Sequence, residues 1–169
     1  MLNPMLWRFE SIDDPNVEIN LSRDLDSRIL LRENLAVREW IKSGKLFHIM
    51  RDHPHHMNPN TKIMGGMFGT RKIPTIISWK ELYKSNTLDD LGRPLYNRDQ
   101  QFLNKFIYPS IVNNCMIHSS FGIFKNEINT LAKKFPIEYC NEYKHVGGYV
   151  YEDESLSIEH TNIIKRQIL

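Results

Sequence analysis

Three consecutive stretches constrain the fold most. "VEINLS" (17–22) alternates Val17, Ile19 and Leu21 with polar residues, the period of a strand. "RENLAVREWIKSG" (32–44) places Leu35, Ala36, Trp40 and Ile41 at helical spacing and runs into Gly44, a residue that ends helices. "LFHIMR" (46–51) then returns to a strand. The alternation continues. "DHPHHMNPN" (52–60) reads as loop, and "KIMGGMFG" (62–69) as a strand or turn. "IPTIISWKELYKSN" (73–86) predicts a helix with Pro74 in its first turn, and "LGRP" (91–94) a turn. "NRDQQFLNKFIYPSI" (97–111) predicts a helix ending near Pro109, with Phe102, Leu103 and Phe106 on one face. "CMIHS" (115–119) is a short strand, "EINTLAKKF" (127–135) a short helix before Pro136, and "HVGGYVYEDE" (145–154) a strand with an acidic end. Residues 155–169 form a tail of helical pattern. Strands alternating with helices predict an α/β domain, a mixed sheet flanked by helices.

The 169 residues suit a single domain, and an apolar share of 41% suffices for a core. A net charge of +2 falls short of a nucleic-acid-binding signature, so any anion served is local, such as a phosphate. The two cysteines, Cys115 and Cys140, form no disulfide framework, which fits a reducing compartment. The N-terminal stretch lacks the pattern of a signal peptide, and no apolar run reaches the roughly 18 residues of a membrane span. A cytoplasmic location is expected.

The strand at 17–22 leads into "SRDLDSR". If the chain stays extended, Asp24 and Asp26 point the same way at the carboxyl edge of the sheet, where open α/β sheets bind ligands. Two close carboxylates repel unless a proton or cation intervenes, and hard cations such as Mg²⁺ or Mn²⁺ prefer oxygen ligands and substrate phosphates. Arg23 and Arg28 can pair with the aspartates or with a phosphate. The competing reading is an Asp-rich turn with arginine salt bridges. "FHIMRDHPHH" holds four of the seven histidines, but its spacing does not suit a closed zinc site. His48 reads as a core histidine, and Arg51, Asp52 and His53 as a strand-end group facing the same edge as the aspartates. Gly65 and Gly66 permit close backbone approach to a ligand, or simply form a turn. Asp99, in the first turn of its helix, is favoured by the helix dipole and serves as a cap or as a general base. His118 is a lone histidine after a short strand.

Taken in order, "LWRF", "SRDLDSR", "RENLAVREW", "FHIMRDHPHH", "IMGGMFGTR", "NRDQQFLNKFIYP" and "HVGGYVYEDE" resemble a group of glycosyltransferase-like proteins, viral and bacterial, with a GT-A-type nucleotide-diphospho-sugar transferase core. The resemblance covers about residues 6–154. It implies the carboxyl-terminal part of a GT-A fold with the DxD at a strand end. It implies Mn²⁺ (or Mg²⁺) between Asp24, Asp26 and the diphosphate of a nucleotide-sugar donor, with His118 as a further metal contact. Gly65 and Gly66 match the segment lying against the donor sugar, and Asp99 the base of an inverting transfer. The acceptor, a glycan or a protein, is not specified. A viral chain would act in its host cell.

Two departures qualify the match. Only 23 residues precede Asp24, where GT-A enzymes place a nucleoside-binding half, and Ser119 stands where relatives carry Asp after His. The expectation is therefore a single truncated domain. It would be a metal-dependent glycosyltransferase or a fragment of one, with an exposed sheet edge open to a partner chain or to self-association. The alternatives are a non-catalytic sugar- or protein-binding module and, less well matched by "DSR", a metal-dependent phosphohydrolase.

Overall fold

The computed structural model describes residues 4–72, 78–86 and 98–168. A five-stranded mixed sheet is built from β1 (Ile19–Arg23), β2 (Phe47–Arg51), β3 (Met67–Arg71), β4 (Cys115–Ser119) and β5 (Leu131–Lys133), in the order β1-β3-β2-β4-β5. β3 is antiparallel to both β1 and β2, while β2, β4 and β5 are parallel. β1 therefore runs with β2, β4 and β5, and β3 alone is reversed. The α/β class and the flanking helices agree with the sequence reading.

Side-chain alternation divides the sheet into two unlike faces. Phe47 and Ile49 of β2, Phe68 of β3, and Cys115 and Ile117 of β4 join one large apolar cluster. It is covered by the N-terminal 3₁₀ segment Pro4–Asp13 and by helices α2 (Trp79–Asn86), α3 (Arg98–Phe102) and α4 (Tyr108–Ile111). On the opposite face Met50 and Met67 meet Ala36 of α1 (Leu31–Ser43), together with Phe135 and Val146. Trp40 of α1 is fully buried there. Its ring stacks on His48 at 5.3 Å and its indole N–H donates to the Lys45 carbonyl at 2.9 Å. α1 ends at Gly44 in the left-handed conformation (φ 73°), as its sequence position requires.

Several elements depart from the sequence expectation. β1 has the expected period, but its buried residues are Asn20 and Ser22, while Ile19 and Leu21 are exposed. An edge strand is packed by whatever covers it. Asn20 is engaged by Ser11 of the N-terminal segment, and Ser22 donates to the Gly65 carbonyl. The helix expected at 97–111 ends at Ile111, two residues past Pro109, but it is not uniform. A π-helical turn (Leu103–Ile107) separates α3 from α4, and the Tyr108 N–H bonds back to the Leu103 carbonyl. The wider turn accommodates a proline that has no N–H to give. The short helix expected at 127–135 is replaced by a 3₁₀ turn and then β5, whose residues 131–133 pair with Met116–His118. The open edge of β4 supplies hydrogen-bond partners that outweigh weak local helix propensity. The strand expected at 145–154 is reduced to isolated bridges, Ser27 with Tyr149 and Val150 with Leu156. The tail forms helix α5 (Ile158–Ile168), capped by the Ser157 hydroxyl accepting from the His160 N–H at 3.3 Å.

Helix α2 starts at Trp79. Its first N–H groups are held by Ser78 and by the Asp13 carboxylate, which accepts from Trp79 at 2.9 Å and from Lys80 at 2.8 Å. Pro74, the turn at 91–94 and the expected helix start at Asn97 lie outside the described residues. Among the described residues no helix is long and apolar enough to cross a membrane. Trp40→Ala is expected to cost about 3–5 kcal/mol in urea unfolding, because it empties a buried site wedged between α1 and the sheet.

Candidate functional site

The shared direction of β1, β2, β4 and β5 brings their carboxyl ends to one edge of the sheet, and the reversed β3 begins there. Asp24, Asp52 and Ser119–Ser120 thus meet the Gly65–Gly66 turn and the first turn of α1 along one rim. This is the edge at which the sequence placed the site.

Asp24 and Asp26 do not continue β1 as an extended pair. They sit on a turn in which the Asp24 carbonyl accepts from the Ser27 hydroxyl at 2.9 Å and from its N–H at 3.3 Å. Asp24 is partly exposed and accepts from Arg8 Nη1 at 2.8 Å. Asp26 is exposed, and its carbonyl receives the Val150 N–H at 2.9 Å. Leu25, between them, is wholly exposed. Gly66 lies directly against the Asp24 carboxylate, where a Cβ would stand 2.0 Å from Oδ2. A Cβ at Gly65 would stand 2.9 Å from Gln100 Nε2 and 3.0 Å from Arg8 Nη1. Gly66 is thus packed tightly on the Asp24 carboxylate, while at Gly65 the neighbours are the ends of two flexible side chains. Asp99, next to Gln100, is buried in the first turn of α3, and among the described residues neither of its oxygens has a hydrogen-bond donor.

The second group centres on Asp52, fully buried at the end of β2. Its Oδ1 accepts from Ser120 Oγ at 2.5 Å, from the Tyr139 hydroxyl at 2.8 Å and from Arg32 at 3.0 Å, and its Oδ2 from the Val146 N–H at 2.8 Å. Burial pushes this carboxyl up to about 6, against the opposing pull of Arg32 and these donors. The Arg32 guanidinium lies over the Tyr139 ring at 3.7 Å.

The third group is five histidines. His53, His55 and His56 of the Asp52–Met57 turn are joined by His145 and by His160 of α5, with neighbouring ring centroids 4.7–5.9 Å apart. They adjoin a cavity of about 140 Å³ lined by Arg28, Lys144, Tyr149, Ser157 and the rings of His145 and His160. Among the described residues no three His, Cys, Asp or Glu side chains are grouped as a ready-made metal site.

The remaining expected site residues are placed elsewhere. Arg51 turns away from the rim into the apolar face, where it forms a two-pronged ion pair with Glu127 at 2.6 and 2.9 Å, both side chains fully buried. Glu127 also accepts from the Tyr108 hydroxyl at 2.5 Å and from the Phe124 N–H at 2.9 Å. Burial raises its carboxyl, and the Arg51 hydrogen bonds and charge then bring it below the ordinary value. Arg23 pairs with Glu33 of α1, and Arg28 with Glu154. His118 lies on the α1 face of β4, three strand places and roughly 14 Å from β1. There its Nδ1 meets His48 Nε2 at 2.8 Å and its Nε2 meets Glu39 at 3.2 Å. The structure thus gathers Asp24, Asp26, Gly65 and Gly66 at one end of the rim, and Asp52 and His53 at its centre. It does not bring Arg51 or His118 to them.

Arg8, Arg32, Ser120, Tyr139, His145 and His160 were not singled out from the sequence. Each reaches the rim from a distant segment; His53 and His160 are 107 positions apart. No spacing rule could have joined them. Comparison with family profiles, curated proteins and solved structures found no match for the chain.

Two substitutions test these placements. Glu127→Ala is expected to cost about 3–5 kcal/mol in denaturant unfolding, because it leaves Arg51 charged, buried and unpaired. Gly66→Ala is expected to displace the Asp24 carboxylate and to cost about 1–3 kcal/mol, measured by thermal unfolding alongside the Arg8→Ala variant.

Proposed function

We propose that the chain is a metal-dependent glycosyltransferase domain, or part of one, that handles a nucleotide-diphospho-sugar at the rim bearing Asp24 and Asp26. The observation that carries the reading is the turn at the carboxyl end of β1. It places two carboxylates at the carboxyl edge of an α/β sheet, where such sheets bind ligands, with the buried Gly65–Gly66 turn packed against the first of them.

The donor set fits a hard divalent cation. Asp24 keeps lone pairs beyond its bond to Arg8, and Asp26 is open to solvent. Mg²⁺ and Mn²⁺ are commonly held by one or two carboxylates completed by substrate phosphates, so three protein ligands are not required. When bound, such an ion supplies Lewis-acid neutralisation of charge on a leaving diphosphate. The chain's own residues do the positioning. Arg8 fixes the Asp24 carboxylate, Gly66 limits where it can lie, and the Asp26–Val150 bond anchors the turn to the 145–154 segment. Asp99, a buried carboxylate without donors among the described residues, is the candidate base for the acceptor hydroxyl.

A second reading, a non-catalytic sugar- or protein-binding module, is favoured by one observation. Arg8, Arg23, Arg28 and Arg51 are all engaged with carboxylates of the chain itself, so none is held in reserve for a phosphate. The edge of β1, with Ile19 and Leu21 exposed, is the surface such a module would offer to an added strand.

Calorimetric titration with Mn²⁺ and a panel of nucleotide sugars separates the two. The transferase reading expects metal-dependent donor binding that Asp26→Ala abolishes. It also expects Asp99→Asn to bind metal and donor as before but to lose transfer by at least about 100-fold. Mn²⁺ affinity unchanged in Asp26→Ala would overturn the assignment.

A further inference from the structure

The histidine cluster is not used by the proposed function, and its hydrogen bonds fix its chemistry. His53 Nδ1 accepts the His55 N–H at 3.1 Å, while its Nε2 faces the His160 carbonyl at 3.2 Å. His56 Nδ1 accepts the Asp52 N–H at 3.0 Å. Each ring must therefore be neutral, with its proton on Nε2. Neither ring has a lone pair left for a metal, so the cluster is not a ready-made zinc site. A proton added to either Nδ1 would point an N–H donor at a backbone N–H donor and break the bond that shapes the turn.

We propose that the Asp52–Met57 turn, His145 and His160 form an acid-sensitive clasp, which holds the 143–149 segment and the first turn of α5 on the carboxyl rim at neutral pH and releases them on acidification. Three separate segments meet through these rings, and His53 touches all of the other four. Charging His53 together with His56 or His145 places like charges within about 6 Å, beside rings that burial keeps from water. The His145 ring also packs on the backbone of Gly148, where a Cβ would stand 2.8 Å from Cε1, so its displacement moves the segment beside the cavity.

The direction follows from burial, the first cause for each ring. It lowers His145 to about 3, His53 to about 4 and His56 well below 6.5. An opened clasp restores the ordinary value near 6.5 and so binds more protons than the closed one below that pH. Closure is fully favoured above about 6.5 and is lost as pH falls towards 4 and 3. The other ionisable groups around the cluster are Asp52 and Arg32 beneath it, Tyr139 on Asp52, the Arg28–Glu154 pair across the cavity, Tyr143, Lys144 and Tyr149 on the facing segment, and Glu159 in α5. Asp52 opposes the trend, since its raised carboxyl takes up a proton in the closed state. The three lowered imidazoles outweigh it.

The test is an NMR titration of the full chain from pH 7.5 to 4, following histidine ring signals and amide exchange together, without metal or sugar nucleotide. It is therefore independent of the transferase reading. The expected result is one transition, steeper than a single proton and centred between pH 4 and 6.5. Amides of residues 53–57 and 157–161 lose protection in it while those of β2 and β4 keep theirs. His53→Asn supplies a neutral side-chain acceptor at the same capping position, so it is expected to fold normally at pH 7 and to open at lower pH than the wild type. Independent titration of the histidines near 6.5 without loss of protection would overturn the clasp. So would loss of β2 and β4 protection at the same pH, or an unchanged opening pH in His53→Asn. Stoichiometric Zn²⁺ binding lost in His145→Ala would instead make the cluster a metal site.

Discussion

The carboxylate of Asp52 is the contact on which the carboxyl rim of the sheet depends. A buried charge is tolerated only when it is paired and hydrogen-bonded. Asp52 meets that condition with groups from four places: Arg32 from α1, Ser120 from the exit of β4, Tyr139, and the Val146 N–H. Because the donors come from separate segments, satisfying one carboxylate also fixes the positions of the helix and of two connecting stretches. The next residue, His53, carries that order onward into the turn and to α5.

One residue earlier, Arg51 does the same for the opposite face. Its pair with Glu127 anchors the connection between β4 and β5 under the ring of Phe124. Consecutive residues of a strand point to opposite faces, so Arg51 and Asp52 secure the two layers independently. The polar groups buried at the end of β2 are thereby placed where an apolar core cannot close the sheet. A rim of this kind is stiff at its base and built of loops above.

The reversed strand β3 has a consequence of its own. A fully parallel sheet would put the start of β3 at the far edge. Its antiparallel direction brings Gly65 and Gly66 to the carboxyl rim and lays Gly66 on Asp24. The aspartate turn, the glycine pair, the Asp52 knot and the histidines then follow one another along the rim. They are joined through the Asp26–Val150 bond and the bridge between Ser27 and Tyr149.

The sequence by itself determined the α/β class, the helix ending at Gly44, the strands at 47–51 and 115–119, and the location of Asp24 and Asp26 at a strand end. These features depend on local period and on backbone preferences that a few neighbouring residues express. Only the tertiary structure decided the rest. Residues 131–133 became a strand because β4 offered an open edge. Asn20 and Ser22 of β1 were buried in place of Ile19 and Leu21 because the N-terminal segment packs on that side. Arg51 and Asp52 are adjacent and both charged, yet one became a core ion pair and the other the centre of the rim. Their partners, Glu127 for the first and Arg32, Ser120 and Tyr139 for the second, lie far along the chain. Five histidines became one cluster for the same reason: a contact between distant segments is set by how the layers pack, and no local pattern records it.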